Sequence, residues 1–168
     1  MVSDPKGSQE RLTGPGVVLS LHVHPPEPGG PLTSLACLNL VADQGILEDS
    51  RYFARRSQRT GRPSRRQVSL IAREEIAEHA AVLGLETIPP GAVRSNIETS
   101  GVEWLPCVGR EVEIGEALLL IYAQRDPCAK MDAIAPGLRD RMRGGRQGVL
   151  ATVLRSGRVQ AGAVIRVR

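Results

Sequence analysis

Residues 147–168 read QGVLATVLRSGRVQAGAVIRVR, and their pattern decides the fold class. Val149, Ala151 and Val153 occupy alternate positions, the period of two that sends side chains to one face of a strand. Ser156-Gly157 breaks the run and the chain then resumes an extended pattern, so the segment predicts strand, turn and more strand. Upstream, EVEIGEALLLIYA at 111–123 has a Gly turn between two strand-like halves. Near the start, Val17, Leu19, Leu21 and Val23 alternate with Val18, Ser20, His22 and His24, until PPEPGGP at 25–31 stops the strand. Residues 35–41 predict another strand, with Cys37 as a small thiol in the core. QVSLIA at 67–72 is a short strand. REEIAEHAAVLG at 73–84 is the one well-marked helix: Ile76, Ala80 and Leu83 recur at helical spacing, Glu74 and Glu75 favour its N-terminal end, and Gly84 is placed to stop it. Many short strands, Gly turns and few helices predict a mostly β chain, a closed or partly closed β-barrel with a few peripheral α-helices.

Composition narrows the function classes. The chain has 168 residues, 41% hydrophobic and 24% charged, which suits one folded domain over 16–168 preceded by a polar, Gly- and Pro-containing flexible tail at 1–15. The longest apolar run, 117–123, falls far short of the ~20 residues of a membrane-spanning helix. The opening MVSDPKGSQER lacks the apolar stretch of a secretory signal, so the expected location is cytoplasmic and no membrane partner is expected. Three cysteines, odd in number and widely spaced, exclude a disulfide framework and a CxxC-type zinc site. His22 and His24 have a spacing that suits a metal, but no third ligand accompanies them.

The net charge of +4 hides a strong bias: of 22 basic residues only Lys6 and Lys130 are lysine. Arg51, Arg55, Arg56, Arg59, Arg62, Arg65 and Arg66 form one cluster in an aperiodic loop. Arg139, Arg141, Arg143 and Arg146 form another. Guanidinium forks match phosphate oxygens, which suits a nucleotide-like ligand. Nucleic acid is disfavoured, because one Trp, two Tyr and one Phe leave little material for a stacking platform.

RDPCAKMD at 125–132 nominates a reactive residue. Asp126 fits an N-cap, Pro127 the first helical position and Cys128 the second, where free backbone amides and the positive helix end would stabilise a thiolate. Arg125 and Lys130 add positive charge. Such a thiolate suits three chemistries: attack on sulfur, carriage of a persulfide, or ligation of a soft metal. Pro136 should end this short helix, with a further turn or two over 137–142.

Five segments in order, GILEDSRYF (45–53), RRQVSLIAREE (65–75), RSNIETSG (94–101), EIGEALLLIYAQRDPC (113–128) and GRQGVLATVLRSGRVQAGAVIRV (145–167), resemble a MOSC domain. That domain is named after the C-terminal part of molybdenum cofactor sulfurases. The resemblance implies a β-barrel and a stand-alone protein that binds molybdenum cofactor (molybdopterin). Cys128 would ligate molybdenum and be the catalytic residue. Arg51, Arg66 and Arg94 would hold the anionic pterin, Asn96 would bond its ring, and Asp49 would orient Arg51 or bond a ring nitrogen. Lys130 and Arg146 complete the candidate set. Family members of this kind reduce N-hydroxylated or N-oxygenated compounds with an external electron donor, here a separate flavin or iron-sulfur protein. Two alternatives stand beside it: a sulfur carrier in which a cysteine desulfurase loads a persulfide on Cys128, and a non-catalytic basic anion-binding module. The chain departs from the family at Gly162-Ala163, where many members have Gly-Asp, and at Glu48-Asp49-Ser50, which bears on the pterin-binding loop.

Overall fold

The computed structural model describes residues 15–168; the expected tail, apart from Pro15, lies outside the described residues. Strand β1 (Gly16–Val23) is followed by β2 (Thr33–Leu35), β3 (Cys37–Val41), β4 (Gly45–Ile46) and β5 (Val68–Ala72). Helix α1 (Arg73–Val82) leads to β6 (Ile97–Ser100), β7 (Glu111–Ile114) and β8 (Ala117–Gln124). Two short helices, α2 (Lys130–Ile134) and α3 (Leu138–Arg141), precede β9 (Val149–Arg155), β10 (Gly157–Gln160) and β11 (Val164–Val167).

Seven strands close on themselves in the order β11-β7-β8-β9-β5-β6-β1, with β1 returning to β11 through Gly16↔Ile165 and Val17↔Val164. Closure removes the edges that an open sheet would expose. β2 extends the far end of β1, while β10, β3 and β4 form a separate small sheet. β9 and β10 therefore do not form a hairpin at Ser156-Gly157. β9 pairs with β8 and β5, whereas β10 pairs with β3, so the Ser-Gly break transfers the chain between sheets. Gly157 is needed there, because a Cβ would lie 2.4 Å from the Glu116 carbonyl carbon.

Among the described residues only β5 and β6 run parallel. A parallel pair needs a crossover, which α1 and the following loop supply. This makes β5 central: Val68 through Ala72 are all buried, as expected for a strand covered on both faces. Its inner side joins Val18, Leu21, Ile97, Leu119, Ile121, Val149, Ala151 and Val153 in the barrel core. Its outer side, through Ile71, meets Ile76 and Ala80 of α1, with Met131 and Leu138 from the later helices. Each such fully buried Ile or Leu contributes about 1.5–3 kcal/mol.

Two strand expectations are revised. In β1 the alternation breaks at a bulge between Val18 and Ser20 opposite β6. Leu19 is consequently 46% exposed, and Val18 and Leu21 point inward. In β3 the inward positions are Leu38 and Leu40; Cys37 is half-buried, with its Sγ 2.7 Å from Arg158 Nε. Among the described residues no helix is long and apolar enough to cross a membrane.

Candidate functional site

The site is built where β8 ends. Arg125 still donates its backbone N–H to the Gly148 carbonyl at 2.9 Å, continuing the ladder with β9. Gly148 in turn packs directly against β5; a Cβ there would fall 2.0 Å from the Leu70 carbonyl oxygen. The Arg125 side chain turns inward, is 7% exposed, and donates from Nη1 to Ser95 Oγ at 3.0 Å and the Val93 carbonyl at 3.4 Å. No carboxylate pairs with it among the described residues. Burial pulls its pKa down to about 10, and Arg66 and Arg94 push in the same direction, while Cys128 and Tyr52 oppose them. Those four residues thus lie within electrostatic reach of one buried guanidinium.

Cys128 is the exposed member of the three free cysteines; Cys37 is half-buried and Cys107 buried. The expected cap is displaced. α2 begins at Lys130 after Ala129, without a side-chain cap, and Cys128 precedes the helix, accepting the Met131 N–H on its carbonyl at 3.1 Å. The reason lies in the strand exit: Arg125 remains extended against Gly148, and Pro127 biases Asp126 toward extended backbone, so the chain turns only after Cys128. Asp132, inside α2, accepts the Gly137 and Arg139 N–H groups at the start of α3 at 3.2 and 3.0 Å, and so joins α2 to α3.

A small cleft is lined by His24, Tyr52, Arg66, Gln67, Val68, Ser69 and Asn96, of which Tyr52 and Arg66 also act electrostatically on Arg125. Its wall is held by Asp49, which is 1% exposed. Asp49 Oδ2 accepts the backbone N–H of His24 at 3.1 Å, its ring Nδ1 at 2.9 Å and Asn96 Nδ2 at 3.1 Å. Oδ1 accepts the Arg51 and Tyr52 N–H groups, each at 3.1 Å. Burial alone would raise the Asp49 pKa, but these hydrogen bonds, led by His24, outweigh it and hold the carboxyl below its ordinary value. Asp49 therefore orients the backbone of Arg51 rather than its guanidinium, and its oxygens are fully occupied. Asn96 is saturated as well: Oδ1 accepts from Ser69 N and Oγ, and Nδ2 donates to the His22 carbonyl and Asp49. Both residues act on the cleft by fixing its wall.

The arginines are arranged around tyrosine. Arg66, Arg55 and Arg51 place their guanidinium carbons 5.0, 5.7 and 5.8 Å from the Tyr52 ring centroid, and Arg65 lies 4.3 Å from that of Tyr122. Arg94 adopts φ 64° and donates from Nη1 to the Gly30 carbonyl at 2.8 Å. Lys130 approaches the same loop, its Nζ 3.8 Å from where a Cβ on Gly29 would stand. The loop at 25–31 is thus bonded by Arg94 and lies close to Lys130. Arg146 does not join this group; it pairs with Glu78 at 2.9 Å and Glu75 at 3.8 Å on α1. His22 meets Ser20 Oγ at 2.9 Å, and no group of three metal-ligating side chains occurs among the described residues.

Sequence reasoning valued Arg125 only as charge beside Cys128 and did not place His24 or Tyr52 at the cleft. The signal for Arg125 was its position, immediately after an apolar strand whose alternation carries it inward.

A sequence model of the MOSC domain matches residues 37–166. Among solved structures, the YuaD protein from Bacillus subtilis superposes with a TM-score of 0.73 at 22% identity, over 90% of this chain and 95% of that one. YiiM from Geobacillus stearothermophilus gives 0.69 at 19% identity, covering 92% of this chain and 75% of its own, and YiiM from Escherichia coli gives 0.61 at 20%, covering 92% and 68%. These are likenesses of fold. No curated protein matches the sequence.

Proposed function

The chain belongs to the MOSC domain family, and from that premise we propose that it binds molybdenum cofactor through Cys128 and reduces N-hydroxylated or N-oxygenated compounds with electrons from a separate protein. MOSC domains are associated with this cofactor in general. The observation that carries the proposal is Arg125, a buried guanidinium with no carboxylate partner among the described residues, within electrostatic reach of an exposed thiol and two further arginines. Desolvating an unpaired cation costs several kcal/mol, and a bound anion offsets that cost. The donor set fits the group: Arg125, Arg66 and Arg94 suit its phosphate and ring oxygens, and the Cys128 thiolate is a soft ligand suited to molybdenum.

When bound, the cofactor supplies a metal centre able to exchange electrons with a substrate N–O bond. The chain's own residues hold and orient. Asp49 fixes the turn that presents Arg51 and Tyr52, Asn96 ties that turn to β5 through Ser69, and Arg94 clamps the loop at 25–31. The overall reaction, R–NH–OH + 2 e⁻ + 2 H⁺ → R–NH₂ + H₂O, breaks the N–O bond and takes both electrons from a reduced flavin or iron-sulfur protein.

Protein made in a host that synthesises the cofactor is expected to reduce an N-hydroxylated nucleobase to the amine with reduced methyl viologen as donor. Cys128→Ser should abolish that turnover, while Cys37→Ser and Cys107→Ser preserve it. Undiminished turnover by Cys128→Ser contradicts the proposal. Exposure of Cys128 also suits a sulfur carrier. A reducible persulfide formed on Cys128 by a cysteine desulfurase, in molybdenum-free protein without reductase activity, would favour that second reading.

A further inference from the structure

Between Asp49 and Glu74 the sequence contains no acidic residue and eight arginines, counting Arg73 at the start of α1. Four of them, Arg55, Arg56, Arg59 and Arg62, are exposed on a folded projection. Its two sides meet at an antiparallel bridge between Arg56 and Pro63. Ser64 N–H donates to the Arg55 carbonyl, Ser57 N–H to Arg62 and Gly61 N–H to Ser57, each at 2.8 Å, and Arg56 Nη1 donates to the Gly61 carbonyl at 2.9 Å. These bonds fix the backbone of the projection, while the Arg59 and Arg62 side chains are exposed and without a hydrogen-bond or ion-pair partner among the described residues.

None of these four arginines takes part in an ion pair among the described residues, whereas Arg143, Arg155 and Arg168, exposed elsewhere, do. Arg143 meets Asp140, Arg146 meets Glu78, Arg155 meets Glu113, and Arg168 meets Glu111 and Glu113. Single unpaired arginines such as Arg166 occur elsewhere, but with Arg65 and Arg66 at its base, also exposed and without an ion pair among the described residues, the projection carries a dense run of uncompensated positive charge. Like charges held together raise the free energy of the free protein and draw in a surface of opposite sign.

We infer that this arginine projection, residues 55–64, is the docking surface for an acidic electron-donor protein. Its base places a partner at the cleft: Arg55 lies over Tyr52, and Tyr52 lines the cleft beside Arg66. The inference rests on the reductase reading above, which requires two electrons per N–O bond from the reduced flavin or iron-sulfur centre of another protein. A nucleic-acid strand fits less well. Such strands are gripped by stacked aromatic faces along a charged groove, but both tyrosines here are faced by arginine.

The test uses the full cofactor-loaded chain and an Arg59→Glu/Arg62→Glu double variant; neither residue belongs to the site. Reduction of an N-hydroxylated nucleobase is driven by a reduced acidic flavodoxin and, separately, by reduced methyl viologen. With flavodoxin the variant's kcat/KM should fall about tenfold or more, and the wild-type value should fall as salt rises toward about 0.15 M. With viologen the two proteins should agree within about twofold, because rim charges govern encounter. Calorimetric titration of each chain with oxidised flavodoxin should show the same loss of binding. Equal flavodoxin kinetics and equal affinity in both proteins would overturn the inference. So would charge reversal that abolishes binding of a duplex RNA while leaving flavodoxin affinity intact. Absence of turnover with both donors contradicts the reductase reading, and the titration still decides the docking surface.

Discussion

At Arg94 the backbone occupies the left-handed region with φ 64°, a conformation that costs a non-glycine residue on the order of 1 kcal/mol. The side chain thereby reaches the Gly30 carbonyl and the surroundings of Arg125. Arg94→Gly should alter folding stability by less than about 1 kcal/mol, since relief of strain offsets the lost hydrogen bond and the added chain entropy, yet it should lower retention of an anionic cofactor. Chemical denaturation and pterin content, measured on the same preparation, check both halves. The cysteines differ in another way. Burial pushes the Cys107 thiol above its ordinary value and its Sγ–H is committed to the Glu103 carbonyl at 3.3 Å, whereas Cys128 is exposed. Alkylation of the native, cofactor-free chain near neutral pH should modify Cys128 well before Cys107, and mass mapping of timed samples shows the order.

The turn at 49–53 is the element on which the arginine-rich loop depends. Asp49 accepts five hydrogen bonds, from His24 twice, Asn96, Arg51 and Tyr52. Asp49→Ala would leave those buried donors without a partner, and removal of one member of a buried polar pair costs about 3–5 kcal/mol. Urea denaturation should show that loss, with a matching loss of order at the Tyr52 ring. The strands tell a parallel story. Gly148→Ala would drive a Cβ against the Leu70 carbonyl at a φ of 80°, so its cost should reach about 4 kcal/mol or more. Much of this level was legible in the sequence. α1 was marked at both ends by its acidic first turn and Gly84, and the inward set Val149, Ala151 and Val153 followed from alternation alone. What was not legible depended on distant partners. The bulge opposite β6 reversed the exposure of Leu19, and the pairing of Arg125 with Gly148 kept the chain extended past the expected cap at Asp126.

Across the whole molecule, barrel closure was foreseeable as a class, because many short alternating strands must remove their edges. The parallel β5–β6 pair and the transfer of β10 to a second sheet were not, since pairing partners leave no periodic trace in one strand. The convergence on Arg125 depends on that closure, which brings the end of β8 beside Ser95 and Val93 before β6. The fold also stores a pH dependence. Burial lowers the pKa values of His22 and His79 below the ordinary 6.5, so the unfolded chain takes up protons first. Stability should be fully present above about pH 6.5 and fall as pH drops through their folded values. Glu75, raised above 4.5 by burial, opposes this at lower pH, and the lowered Asp49 adds a further loss below its ordinary 3.8. Denaturant midpoints at pH 7.5 and 5.5 should therefore show a less stable protein at the lower pH. The central claim, that a buried cation and an exposed thiol together hold the cofactor, is tested most directly by molybdenum and pterin content. The chain and its Arg125→Met variant are to be purified from a host that makes the cofactor. Methionine retains apolar volume and removes a desolvated charge, so the variant should remain folded. The expected result is molybdenum and pterin in equal amounts with wild-type protein and their loss from folded Arg125→Met; wild-type protein free of both, or a variant that retains both in full, would contradict the account.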